Sequence, residues 1–228
     1  DVRIKRFIRT YLEDIEGEHI YVSENTGAGK TDSKGVLTWI AQNWNTNQKT
    51  DIAEIMKELI DVRLFGGIST LDKNMKVGKQ EFVNGHVQFT GPVQFAALNP
   101  SLNRVNLRMH QNTSHFTSKD DKAQGAISTT TLVPYSVVQI HGWINPTVAK
   151  NTDLKEDDLQ KMFKALWYGT GGAGSSFSRS KVGQDSLLLL VIDYKQSFDK
   201  LYGVDRTIKL EPNEGLKDEQ IRSMDDYA

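Results

Sequence analysis

Ile4, Phe7, Ile8, Tyr11, Leu12 and Ile15 recur at the i, i+3, i+4, i+7 spacing of one buried stripe. The pattern predicts an amphipathic helix over Arg3 to Ile15, with Gly17 where a C-terminal cap belongs. A short strand is expected at His19–Val22, then a Gly/Ser/Asn loop over Ser23–Gly35. Val36–Trp44 and Asp51–Ile60 read as helices. Val62–Thr70 alternates like a strand broken by Gly66 and Gly67. Gly85–Phe95 alternates too, with Gly91-Pro92 forcing a kink or an edge position. Asn103–Met109 reads as extended, Gln111–Gln124 as polar and turn-like, and Ile127–Ile144 as β-rich. Asp153–Trp167 is the second clear helix, placing Leu159, Met162, Phe163 and Leu166 on one face. A Gly/Ser loop over Gly169–Gly183 leads to Leu187–Tyr194, apolar enough for a core strand. The stretch after Pro212 is polar and reads as peripheral.

Two helices thus bracket a set of strands, and an apolar strand follows the second helix. The chain begins at Asp1 and enters a helix at once, so a strand upstream is expected. With that strand the order becomes split βαβ: an α+β fold in which an antiparallel sheet carries two helices on one face. The 228 residues suit a single domain over 1–228, with a helical insertion at 36–60, an inserted segment at 111–131 and a peripheral tail at 212–228.

Hydrophobic residues make up 38%, enough for a core, and no apolar run reaches the roughly 18 residues a spanning helix needs. The absence of cysteine removes disulfides, thiolate metal sites and cysteine nucleophiles, and fits a reducing cytoplasm. Net charge is −1, so global charge says nothing of nucleic acid. Local charge says more. No Asp or Glu lies between Phe82 and Ser118, while Arg104, Arg108, His86, His110 and His115 do. The acids gather in Glu13–Glu18, Asp153–Asp158 and Glu211–Asp226. An acid-free segment offers a polyanion a favourable face, although a half-buried β segment is poor in acids anyway.

Two glycine motifs mislead. Gly29-Lys30-Thr31 suggests a P-loop, but Glu24 stands where that loop needs glycine, and a carboxylate there repels phosphate. Gly169-Thr-Gly171-Gly-Ala-Gly174 matches G-x-G-x-x-G in the wrong context, after a helix and before a strand. What remains is a loop of small residues and hydroxyls bearing Arg179 and Lys181, suited to a phosphate backbone or simply to solvent.

Arg3, Lys5, Arg6 and Arg9 crowd the first two turns of the opening helix. Cations there oppose the helix dipole by about 0.3–1 kcal/mol each when exposed. Asp1 can pair Lys5 and Glu13 can pair Arg9 at i, i+4, but Arg3 and Arg6 have no such acid. Phosphates of a bound strand would resolve the conflict; so would plain solvation.

Asp1-Val-Arg-Ile-Lys-Arg-Phe-Ile-Arg-Thr, Asp61-Val-Arg-Leu-Phe-Gly-Gly, Gly91-Pro-Val-Gln-Phe and Val133-Pro-Tyr-Ser through His141-Gly occur in one order. Together they resemble the CRISPR Cascade backbone subunit of the type I-B kind, a RAMP protein, over nearly the whole chain. The resemblance implies an RRM-like (ferredoxin-like) palm with inserted elements and a β-hairpin thumb, here at 111–131. It implies a strand and an Asn/Gly/Pro-rich segment ahead of the basic helix. It implies guide RNA as ligand, with target nucleic acid paired to the guide, further copies of the chain and other Cascade subunits as partners. By the same resemblance Lys5, Arg6 and Arg9 grip guide phosphates, and Gly66, Gly67 and Ile68 form a close-approach turn beneath the RNA. With Arg3, Gln94, Arg104, Arg108, Arg179 and Lys181 they make up the expected RNA-binding set. Neither cofactor, metal nor catalytic residue is expected.

Two other functions compete. Related RRM-like CRISPR proteins cut RNA, and His19, His86, His110, His115 and His141 are acid–base candidates, as Asp120 and Asp121 are loop acids. The histidines lie in separate predicted elements without an obvious partner. A protein-interaction module using the acidic tail is the other.

Overall fold

In the computed structural model, residues 2–23, 33–43, 49–77, 80–113, 127–171, 183–196, 199 and 203–228 are described. The chain is α+β and divides into two compact units, one of residues 1–96 with 142–199, the other of 97–141 with 200–228.

In the first unit, α1 (Val2–Asp14) buries Ile4, Phe7, Ile8, Tyr11 and Leu12, and Gly17 follows at φ +69°. Helix α2 (Ser33–Asn43) starts three residues before the expected Val36, inside the expected loop. Strand β1 (Lys49–Asp51) runs into α3 (Ile52–Glu58), whose N-cap Asp51 accepts a hydrogen bond from the Ala53 N–H at 2.8 Å. Next comes α4 (Ile60–Phe65), where a strand was expected. Strands β2 (Gly66–Thr70), β3 (Asn74–Val77), β4 (Gln80–Val83), β5 (His86–Thr90), β6 (Val93–Phe95) and β9 (Gly142–Ile144) form three small sheets. Strand β4 lies between β1, parallel, and β3, antiparallel; β2 pairs antiparallel with β5, and β6 with β9. The break between β5 and β6 falls at Gly91-Pro92, as expected.

Helix α4 shows why alternation misled. Asp61-Val-Arg-Leu-Phe alternates polar and apolar, yet all six residues of the helix are buried, Asp61 fully. The N–H groups of Val62 and Arg63 turn back to the Leu59 carbonyl. The two polar side chains face different helices. Asp61 accepts from Arg9 Nε at 2.9 Å. Arg63 makes a bidentate pair with Asp158, Nε to Oδ2 and Nη2 to Oδ1, both 2.7 Å. Asp61 also accepts the N–H of Tyr21 at 2.8 Å and of Val22 at 3.2 Å. His19–Val22 is therefore no strand: a carboxylate takes the N–H groups that a sheet partner would have taken.

Helix α5 (Pro146–Thr152) was not expected. Its Asn145 Oδ1 accepts from Thr147 N and Val148 N, and proline occupies the first turn. Asp153, at φ +56°, ends α5, so the predicted helix at Asp153 begins as α6 only at Glu156 and runs to Tyr168. One core gathers Ile8, Leu12, Leu64, Met162 and Ala165 from α1, α4 and α6; a second gathers Leu37, Ile40, Ile52, Met56 and Phe82.

Leu187–Tyr194 is the largest departure. It joins no ladder among the described residues, and Leu187, Leu188, Leu190 and Val191 are each more than half exposed. An apolar run with no strand beside it has nothing to bury against. Leu188→Lys with Leu190→Lys, at positions 69% and 58% exposed, is expected to leave the unfolding free energy from urea denaturation within about 0.5 kcal/mol of wild type while lowering fluorescence of a bound hydrophobic dye. Unfolding of the double variant would put these residues back in a core.

In the second unit, β7 (Arg108–Thr113) and β8 (Ile127–Leu132) form an antiparallel ribbon, Arg108 opposite Leu132 and Thr113 opposite Ile127. Of the expected extended stretch Asn103–Met109, Arg108 and Met109 lie in β7 and 103–107 join no ladder. Asn103 Oδ1 accepts from Val137 N at 2.8 Å and Ser101 Oγ at 3.0 Å. Beyond α7 (Val204–Thr207) the tail closes on itself. Pro212 bridges to Tyr227, Ala228 N donates to Glu211 O, and Asn213 N donates to Asp226 O. The Asp226 carboxylate accepts the N–H groups of Arg222 and Ser223, which hold it below the usual carboxylate range, and Ile221 is buried.

Candidate nucleic-acid interface

Phe65, at the end of α4, is where the sequence-predicted residues of the first unit meet. The Arg9 guanidinium lies 5.3 Å and the Lys5 ammonium 5.8 Å from its ring centroid. The Phe95 ring is 6.3 Å away on the β6 side. The next residues are Gly66, Gly67 and Ile68. Gly66 sits at φ +77°, and a Cβ there would strike the Phe89 carbonyl and the Gly91 N. A Cβ on Gly91 would strike the Phe65 backbone. These glycines let two stretches of backbone touch, an intrachain reason for glycine that the sequence did not reveal. Ile68 is 52% exposed. Gln94 lies on β6, its Nε2 donating to Gly91 O at 2.9 Å.

The basic helix divides into roles. The Arg9 side chain is 18% exposed and ion-paired with fully buried Asp61. Arg3 is exposed, 5.5 Å from the Phe7 ring, and Arg6 is exposed. The Lys5 ammonium is pushed below its ordinary range by partial burial and by the charge of Arg9. The first turn carries no acid. A phosphate here would meet a positive helix end and cations whose mutual repulsion it relieves.

In the second unit, Arg104 Nη1 reaches Glu219 Oε1 at 3.2 Å. The β7–β8 register sorts the ribbon's side chains. Arg108, His110, Asn112, Ser128, Thr130 and Leu132 share one face; Met109, Gln111, Thr113, Ile127, Thr129 and Thr131 share the other. Every β7 residue is exposed. Arg108 and His110 have no ion pair among the described residues. Arg179, Lys181, Gly29-Lys30-Thr31, His115, Asp120 and Asp121 lie outside the described residues.

Among the catalytic candidates, His19 lies edge-on to the Trp39 ring at 5.8 Å, while His86 and His110 sit on β5 and β7. Among the described residues no group of three His, Asp or Glu side chains is arranged to hold a metal, and no helix is long and apolar enough to cross a membrane. Asp61 and Phe65, which join the basic helix to the glycine turn, were inside a recognised motif but were not singled out. Their signal was an Asp inside an otherwise apolar stretch, Ile60 to Phe65, with an Arg two positions on.

No curated protein matches the chain. The family model described as CRISPR-associated protein Cas7 matches residues 1–228, the whole of the chain. A basic helix braced on a glycine turn, within an α+β chain matched from end to end, leads to one assignment: this protein belongs to the CRISPR-associated protein Cas7 family of RAMP proteins, the backbone subunits of CRISPR effector complexes.

Proposed function

We propose that the chain holds the sugar–phosphate backbone of a guide RNA, leaving the bases free to pair with target nucleic acid, and performs no chemistry itself. The observation that carries this is the joining of the acid-free, cationic start of α1 to the Gly66–Ile68 turn through Phe65 and Asp61. Contacts to phosphate fix position without reading sequence, which is the division of labour a guide requires. Arg3, Lys5 and Arg6 are the phosphate contacts from α1; Arg9 anchors the helix. Ile68 and Gln94 flank the strand beside the Gly66–Gly67 turn, whose own missing side chains serve packing within the chain, and the same reading takes Arg104, Arg108, Arg179 and Lys181 as further phosphate contacts.

In this reading 1–228 is one RRM-like domain with insertions, and the segment 111–131, whose described ends belong to the β7–β8 ribbon, is the thumb that reaches a further copy of the chain. Other Cascade subunits, of the type I-B kind, complete a cytoplasmic assembly. An isolated two-stranded ribbon is marginal in water, so one exposed on both faces fits an element completed by a neighbour.

The test is binding of several unrelated single-stranded RNAs of equal length, with and without Mg²⁺. Equal affinities and intact RNA support the reading. A preference for one sequence, or cleavage, contradicts it; cleavage would favour the ribonuclease alternative.

A further inference from the structure

The second unit segregates its charge. Among its described residues, Asp and Glu occur only in 203–228, while Arg104, Arg108 and His110 stand in 97–141. One ion pair joins the two sets: Arg104 with Glu219. Glu219 is not on a loose tail. Its segment is closed by the Pro212–Tyr227 bridge, and its own carbonyl accepts Arg222 Nη1 at 2.7 Å. Beside the pair a cavity of about 120 Å³ lies between Leu102 and Asn103 on one side and Leu210, Ile221 and Tyr227 on the other. The two segments therefore meet along an incompletely filled seam.

We propose that the closed acidic loop is a built-in competitor for the RNA backbone: Glu219 occupies Arg104 until a phosphate displaces it. This rests on the reading that Arg104 contacts RNA. The Arg104 and Glu219 side chains are 59% and 66% exposed, so the pair is weak and exchanges readily with water or phosphate. The loop around it carries Glu211, Glu214, Asp218, Asp225 and Asp226 against Lys209, Lys217 and Arg222, an excess of negative charge that favours holding an arginine in the absence of RNA. Displacement breaks one exposed ion pair and forms one arginine–phosphate contact, so the loop discounts affinity for any short RNA that reaches Arg104 alone.

The experiment measures labelled single-stranded oligouridine binding to the full chain, to Glu219→Gln, to Glu214→Gln and to Arg104→Ala, and to Arg104→Ala with Glu219→Gln. Glu219→Gln is expected to bind about two- to five-fold tighter at low salt, the range an exposed ion pair allows, with the gain fading at high salt. Glu214→Gln makes the same charge change without touching Arg104 and is expected to gain less. In the Arg104→Ala background Glu219→Gln is expected to gain nothing beyond that control. Equal gains from Glu219→Gln and Glu214→Gln, equal gains with and without Arg104, or no gain from Glu219→Gln would overturn the competitor and leave RNA binding standing. A wild-type chain with no affinity for the oligouridine would overturn the RNA reading itself, and the competitor with it.

Discussion

Asp61→Ala is expected to cost about 3–5 kcal/mol of stability, a large share of the 5–15 kcal/mol typical of a folded domain. Asp61 is fully buried and serves two masters: the Arg9 guanidinium at 2.9 Å and the N–H groups of Tyr21 and Val22. Removing it strips Arg9 of its counter-charge and leaves the buried Tyr21 N–H without an acceptor, at about 1–3 kcal/mol, while the N–H of Val22, a residue 58% exposed, can turn to water. Asp61→Asn keeps an acceptor for Tyr21 but loses the charge facing Arg9, so it is expected to fall between wild type and Asp61→Ala. Urea denaturation reads all three. Arg9→Ala should show the same loss in part, because Arg9 is an anchor before it is a contact. An unfolding free energy for Asp61→Ala within about 0.5 kcal/mol of wild type, the range of ordinary surface substitutions, would mean that α1 is not braced this way.

Asp158→Ala carries an expected cost of similar size, about 3–5 kcal/mol. Arg63 and Asp158 are both nearly inaccessible and meet through two bonds of 2.7 Å. The remaining Arg63 donor group is used as well, Nη1 donating to the carbonyls of Lys57 and Glu58 at the end of α3. Asp158 accepts Lys155 N at 2.9 Å at the start of α6. One pair thus ties α3, α4 and α6 together. Losing the carboxylate leaves a buried cation unpaired. Replacing both partners, Arg63→Met with Asp158→Leu, is expected to cost less than the sum of Arg63→Met and Asp158→Leu alone, since neither charge is then stranded. Additive costs would contradict the pairing.

Helices α1 and α6 were legible because each is amphipathic over more than three turns, so periodicity alone identified them. The kink at Gly91-Pro92 was legible because proline cannot donate to a ladder. Helix α4 was not legible: its polar residues are buried, and their partners lie in α1 and α6, far away in sequence. The His19–Val22 error has the same source, since Asp61 took those N–H groups from 40 and 39 residues away. The Asn145-Pro146 start of α5 was a readable cap-and-proline signal, overridden by the β-rich run before it. Leu187–Tyr194 was judged on hydrophobicity, which marks what a segment would bury and not whether a neighbour is there to bury it. For the candidate site, charge crowding on α1 pointed to Arg3, Lys5, Arg6 and Arg9 alike; the i, i+4 spacing offered Glu13 as a partner for Arg9, but nothing local could show that its buried partner is Asp61, 52 residues away. The closing of the tail after Pro212 on itself was not legible because its bonds run through backbone groups and caps that carry no hydrophobic signal.

The central claim, that this protein grips RNA phosphates through the start of α1, is tested most directly by the salt dependence of single-stranded RNA affinity in wild type and in the variant carrying Arg3→Ala, Lys5→Ala and Arg6→Ala. Each lost phosphate contact should flatten the slope of log K against log salt by about 0.7, so three lost contacts flatten it by about 2, equally for RNAs of unrelated sequence. The variant should keep its wild-type urea midpoint, since the Asp61–Arg9 brace is untouched. A triple variant that folds normally and keeps the wild-type salt slope would contradict the account.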